Sequence, residues 1–311
     1  MVDSDPRLGF DRFEHTWRDD PSWVRERWDS PNGSLIVIGP GPSVNVGRDQ
    51  PDGDHWLMGG PAALGRLAQT DLEEVRLAGR PSRDQPYDDQ RHILVGGVGD
   101  VSWFCDLAVE QPGLDLRLAV PLLPPAEAAV ALATVALANW HRLEPYCPRC
   151  GGPSSIRQAG AARRCPVCEQ DLFPRTDPAV IVAVTDDRDR LLLAHQRLWE
   201  KDRYSLVAGF VEAGETLEAA VRREIAEEVG LVVDRVRYVT SQPWPMPRSL
   251  MLGFAAHAVD TRLTPDGGEI GDARWFRRDQ IPGAVEDGSL RLPGPASIAF
   301  RLIRAWLEGV L

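Results

Sequence analysis

The sequence predicts an α+β fold in three parts: an N-terminal mixed α/β domain over residues 1–145, a central four-cysteine ribbon over 146–172, and a C-terminal α/β/α sandwich on a mixed sheet over 173–311. Three observations predict it. Short apolar runs at 35–39, 92–97 and 101–107 are separated by Gly-, Pro- and Asp-rich turns and lead into an Ala-rich helix over 126–140. Two C-x2-C pairs follow, and beyond residue 173 strand-like runs flank one amphipathic helix.

In the first part, Cys105 reads as a buried strand residue, and Trp140 with His141 as packing at a helix end. The apolar run over 126–137 is far short of the ~20 residues that cross a bilayer, so it reads as a buried or interface helix. The N-terminus is polar and acidic, without an export pattern, and a soluble cytoplasmic protein with no membrane partner is expected. The chain has 43% hydrophobic and 26% charged residues, as globular proteins do, and a net charge of −11 argues against broad, sequence-independent nucleic-acid binding.

Cys147 and Cys150, then Cys165 and Cys168, have the spacing of a ribbon with four thiolate ligands. Each pair offers two sulfurs from a tight turn. Four of them close a tetrahedral zinc site with no position left for substrate, which implies a structural metal. Disulfides or a redox motif are the competing reading, opposed by the cytoplasmic expectation.

In the third part, 178–186 and 190–196 read as a strand pair joined by an Asp/Arg turn, with further strands after the helix and a closing helix over 296–307. Residues 209–231 read GFVEAGETLEAAVRREIAEEVGL. Thr216 is placed to cap a helix over Leu217–Val229, and Gly230 to stop it. At ~100° per residue, Glu227 and Glu228 lie about 60° and about 40° to either side of Glu224, beside an apolar stripe of Val221, Ile225 and Val229. Carboxylates at i,i+4 repel. A hard cation such as Mg2+ or Mn2+ relieves that repulsion; the alternative is a solvated acidic face balanced by Arg222 and Arg223.

The stretch matches G-x5-E-x7-R-E-U-x-E-E-x-G-U, with U a bulky aliphatic residue, and so resembles the Nudix box of hydrolases that cut a diphosphate linked to another group. After it comes Ser241-Gln-Pro-Trp-Pro-Met-Pro-Arg-Ser249, a stiff, extended segment with few donors for a sheet ladder, read alone as a surface loop. A box followed by SQPWPFPxS and preceded by a four-cysteine ribbon resembles the NADH pyrophosphatase (NudC-type) branch of the Nudix hydrolases. The likeness runs from about Leu116 to the C-terminus, including 267–276 and 296–303. Met246 stands where the family usually has Phe, and Phe173 where Tyr is common.

The resemblance implies the remaining roles. Glu224, Glu228, Glu269 and the Ala208 carbonyl would hold Mg2+ or Mn2+, and Glu227 would hold a further ion or help to deprotonate water. Glu215 and Arg223 would form an ion pair bracing the loop. Phe210 and Phe173, the latter from a partner subunit of a homodimer, would sandwich the adenine. Gln242, Pro243, Trp244, Pro245, Met246, Pro247, Arg248, Ser249 and Ala299 would line the nucleotide pocket, with Arg117 as a further contact. The implied reaction is hydrolysis of NADH or NAD+ to NMNH or NMN and AMP, with removal of NAD caps from RNA as a second activity. A Nudix hydrolase for ADP-ribose or another nucleoside diphosphate derivative is one alternative, and a nucleotide-sensing regulator another.

Overall fold

The computed structural model describes residues 9–38, 43–48, 75–111 and 113–311. The first eight residues of the polar N-terminus and Gly39, which ends an expected strand, lie outside these. The described residues fall into two compact units, those between 9 and 175 with Pro245–Arg248, and 176–244 with Ser249–Leu311.

In the first unit, seven described strands form one sheet, ordered Phe10–Asp11, His92–Val98, Val101–Glu110, Gly33–Ile38, Ser43–Val44 and Leu114–Asp115, with Arg80–Pro81 paired to Gly33–Ile38. Side chains alternate across a strand, so the sheet feeds two cores. Ile36, Ile93 and Cys105 pack with the Pro125–Leu143 helix, which buries Val130, Ala131 and Val135. Leu35, Leu94 and Phe104 pack with Val24 and Trp28 of the Pro21–Asp29 helix. The Ala-rich run is thus a buried helix, and Cys105 a fully buried strand residue whose thiol burial pushes up to about 12.

The ribbon is a three-stranded antiparallel sheet of Ser155–Arg157, Ala162–Arg164 and Asp171–Leu172. His141 joins it to the long helix. Arg163 Nη1 donates to His141 Nδ1 at 3.0 Å, so the opposite ring N–H of a neutral imidazole donates to Gly160 O at 2.9 Å. Burial lowers the pKa of this histidine to about 4. It is a packing residue, as expected.

The second unit has a mixed sheet ordered Val233–Trp244, Ser249–Ala258, Asp177–Thr185, Leu191–Gln196 and Ile270–Phe276, with Val207–Phe210 also paired to Asp177–Thr185. Ser249–Ala258 runs parallel to Asp177–Thr185 and the other pairings are antiparallel. The continuous apolar run of Asp177–Thr185 is explained by burial on both faces. Val180, Val182 and Val184 meet Val221, Ile225 and Val229 of the acidic helix; Ile181 and Ala183 meet Leu302, Ile303 and Trp306 of the closing helix, Ile298–Leu307. An α/β/α sandwich results. Among the described residues no helix is long and apolar enough to cross a membrane.

Candidate active site

The acidic helix spans Leu217–Val229 as expected. Thr216 Oγ1 accepts from Ala219 N at 3.2 Å, and Gly230 stops the helix at φ 73°, in the left-handed region. Burying Val221, Ile225 and Val229 rotates Glu224 and Glu228 toward the protein, where they are only 9% and 6% exposed. Glu227, on the other flank of the same arc, is solvent-exposed.

The strand Val207–Phe210 runs under this helix. A Cβ built on Gly209 would fall 1.9 Å from Cδ and 2.0 Å from Oε1 of Glu224, so the carboxylate occupies the space that the absent side chain leaves. This explains physically why the pattern begins with glycine. Arg223 ties the site together. Its Nε and Nη2 donate to Glu215 at 2.9 Å each, Nη2 also to Phe210 O at 2.9 Å, and Nη1 to Glu224 at 2.9 Å and Glu227 at 3.2 Å. The expected Glu215–Arg223 pair therefore braces the loop, and Arg223 belongs to this network rather than to a solvated face.

Burial raises the pKa of the Glu228 carboxyl to about 8, reinforced by the charges of Glu269, Glu224, Asp266 and Glu227. Burial likewise raises Glu224, with Arg223 opposing and Glu227 and Glu269 reinforcing. Crowded carboxylates that resist ionising fit a hard divalent cation: the donor set is all oxygen, and positive charge would offset the repulsion. Among the described residues, the group of metal-binding side chains drawn within 4.8 Å of one another is the cysteine set. A looser acidic set suits ions that retain water and phosphate oxygens as ligands.

The four cysteines are free thiols. Cys147 and Cys168 sulfurs lie 3.6 Å apart, and those of Cys150 and Cys165 3.4 Å. A tetrahedron with ~2.3 Å zinc–sulfur bonds has edges of about 3.8 Å, whereas a disulfide is ~2.05 Å. The backbone N–H groups of Cys168 and Val167 hold the Cys165 thiol well below its usual range. In each knuckle the residue four after the first cysteine, Gly151 or Glu169, adopts a positive φ and donates its N–H back to that cysteine's carbonyl. The set fits structural zinc.

Residues 175–292 match the NUDIX domain family, and residues 142–173 the NADH pyrophosphatase zinc ribbon domain. The chain is 42% identical over 212 residues to the NAD-capped RNA hydrolase NudC of Mycobacterium bovis, covering 65% of this chain and 67% of that protein. The chain belongs to the NudC-type branch of the Nudix hydrolases. Its identity to the NAD-capped RNA hydrolase NudC of Mycobacterium tuberculosis is 41% over 212 residues, with the same coverage. To the NAD-capped RNA hydrolase NUDT12 of Homo sapiens it is 39% over 196 residues, covering 58% of this chain and 42% of that one.

In this Nudix hydrolase the Trp-Pro segment differs from its expected form. Val233–Trp244 is one strand, with Gln242, Pro243 and Trp244 paired in register with Met251, Leu250 and Ser249. The prolines do not prevent this, because the strand lies at the sheet edge, where a missing N–H costs the ladder little. Pro245–Arg248 is the connecting turn and clusters with the first unit: Met246 packs on that unit's core, and Arg248 Nη1 donates to Glu144 at 2.7 Å. Met246–Pro247 is a cis peptide.

Gln242 is buried, donating through Nε2 to Ala296 O at 2.6 Å, with no protein partner for Oε1. Ala299, in the helix that follows, is buried in the core. Phe210 is 59% exposed at the end of its strand, and Phe173 is 65% exposed in the other unit. Ala208, next to Gly209, pairs in register with Ile181. Arg117 pairs with Asp115 at 3.2 Å.

A cavity of about 1100 Å3 lies within the first unit, with Arg25, Tyr87, Arg157, Gln158 and Phe173 in its wall. The acidic cluster is not part of it. Sequence reasoning assigned nothing to Gln196 or Asp266, although Asp-Gly-Gly-Glu at 266–269 carries the signal of a side-chain-stabilised turn.

Proposed function

We propose that this Nudix hydrolase cleaves the pyrophosphate of NADH and NAD+, giving AMP with NMNH or NMN, and also removes NAD caps from RNA 5′ ends. Water forms a new bond to one phosphorus, the bridging P–O bond breaks, and the bridging oxygen leaves on the other phosphate. Glu224, Glu228, Glu269 and the Ala208 carbonyl would hold a magnesium or manganese ion, which would supply acidity to water and offset charge on the phosphates. Glu227, exposed and hydrogen-bonded to Arg223, can accept the proton through a carboxylate oxygen.

The observation that supports this reading most is the presence, in one chain, of the buried Glu224–Glu228 pair, the four-thiol ribbon and the Gln242–Trp244 edge strand. The relatives named NAD-capped RNA hydrolase support the substrate. The exposed rings of Phe210 and of Phe173 from a second copy would sandwich the adenine, so a homodimer is part of the proposal. Gln242, Trp244 and Ala299 would border the nucleotide. Arg248 and Arg117, engaged with Glu144 and Asp115, are weaker contacts.

Product analysis with NADH, NAD+, ADP-ribose and NAD-capped RNA side by side tests the proposal. NADH should yield NMNH and AMP, and Glu228→Gln should lower kcat by orders of magnitude in a folded protein. Turnover of ADP-ribose with NADH left intact would overturn the substrate assignment; near-normal turnover by Glu228→Gln would overturn the site.

A further inference from the structure

Glu269 stands on an exposed turn containing two glycines, where a long carboxylate side chain has many orientations open to it. The turn is nevertheless tied down. Asp266 Oδ2 accepts from Glu269 N at 3.0 Å and Oδ1 from Ile270 N at 2.8 Å, so its carboxylate gathers the backbone of the turn. Its own N–H donates to Glu228 O at 3.1 Å, joining the turn to the last turn of the acidic helix. From the neighbouring strand, Gln196 Nε2 donates to Glu269 Oε1 at 3.2 Å, and Arg197 donates to Glu269 O and Gly267 O, both at 3.0 Å.

We infer that Asp266 and Gln196 are positioning residues, which hold the Glu269 carboxylate toward Glu224 and Glu228 before a cation arrives. Asp266 sets the backbone and Gln196 sets the carboxylate. The inference rests on the proposed role of Glu269 as an ion ligand. Neither residue need touch substrate. Their effect is to remove orientations that ion binding would otherwise have to exclude, as outer hydrogen bonds do around metal ligands in general.

The test is manganese binding to the full chain without substrate, titrated by the electron paramagnetic resonance signal of free Mn2+, for wild type, Gln196→Leu, Asp266→Asn, Glu269→Gln and the Gln196→Leu/Glu269→Gln double variant. Asp266→Asn and Gln196→Leu should each raise the dissociation constant about 10-fold or more. The Gln196→Leu change, at a half-buried strand end, should leave the melting temperature in chelator nearly unchanged, and should add nothing in the Glu269→Gln background, because both act on one carboxylate. Wild-type manganese binding by Glu269→Gln would sink the ligand role itself. Weakened binding by Glu269→Gln, with Gln196→Leu either harmless alone or fully additive in the double variant, would sink the positioning role only.

Discussion

The Glu224 carboxylate fills the space beside Gly209: a Cβ built on that glycine would lie 1.9 Å from the carboxylate carbon and 2.2 Å from Oε2. The obstructing atoms are the end of a flexible side chain, not backbone. Gly209→Ala should therefore fold and displace the carboxylate. Misplacing a reacting group by about 1 Å can cost about 100-fold in rate, and a loss of that order in kcat is expected with a native circular dichroism spectrum. Unchanged kcat would show that the carboxylate's position against the strand is irrelevant.

Arg223 holds three glutamates and a carbonyl with one planar group. Lysine keeps the charge but not the fork of donors. Arg223→Lys should reduce kcat by about 10- to 100-fold, on the scale of lost ligand support. Because the Glu215 and Phe210 O contacts fix the box loop, that loop should also become more sensitive to limited proteolysis. Wild-type kinetics would make the network dispensable.

The ribbon makes a separable prediction. Protein purified without chelator should contain about one zinc per chain, bound by four thiolates. Stripping it should lower the melting temperature, and restoring zinc should recover it; magnesium should not, since hard cations bind thiolate poorly. Cys165→Ser should behave like stripped protein. A zinc-free preparation of undiminished stability would refute the ribbon assignment.

Local patterns in the sequence determine what was legible and what was not. The acidic helix could be read to its end residues because Thr216, the apolar stripe and Gly230 each act within one turn. The apolar run at Asp177–Thr185 could be read as a strand, but its burial on both faces depends on the two helices that the fold packs against it. The Trp-Pro segment was misread as poor in ladder bonds because whether a proline disrupts a sheet depends on which strand is outermost, and only the assembled order decides that. Similarly, all three helix carboxylates share one arc, but the depth of the neighbouring sheet makes Glu228 buried and Glu227 exposed. Gln196 and Asp266 were passed over because their partner Glu269 lies in a turn whose geometry, and whose approach to the strand end at Gln196, are set by the fold.

Glu228 leads to a prediction about pH. Its carboxyl is raised from 4.5 to about 8, chiefly by burial. A carboxyl raised by folding favours the neutral form, so its contribution to stability is complete below its unfolded pKa and is lost as pH rises through its folded pKa, about 8. Glu224, raised in the same direction, adds to the trend. Without divalent cation, the protein should thus lose stability from this site between about pH 5 and about pH 8.5. Magnesium binds the ionised form and competes with the proton, so it should raise the melting temperature more at about pH 8.5 than at about pH 6. Glu228→Gln cannot ionise there, and should lose most of this pH dependence of the magnesium effect. A magnesium shift equal at both pH values in the wild type would show that proton and cation do not compete for this carboxylate.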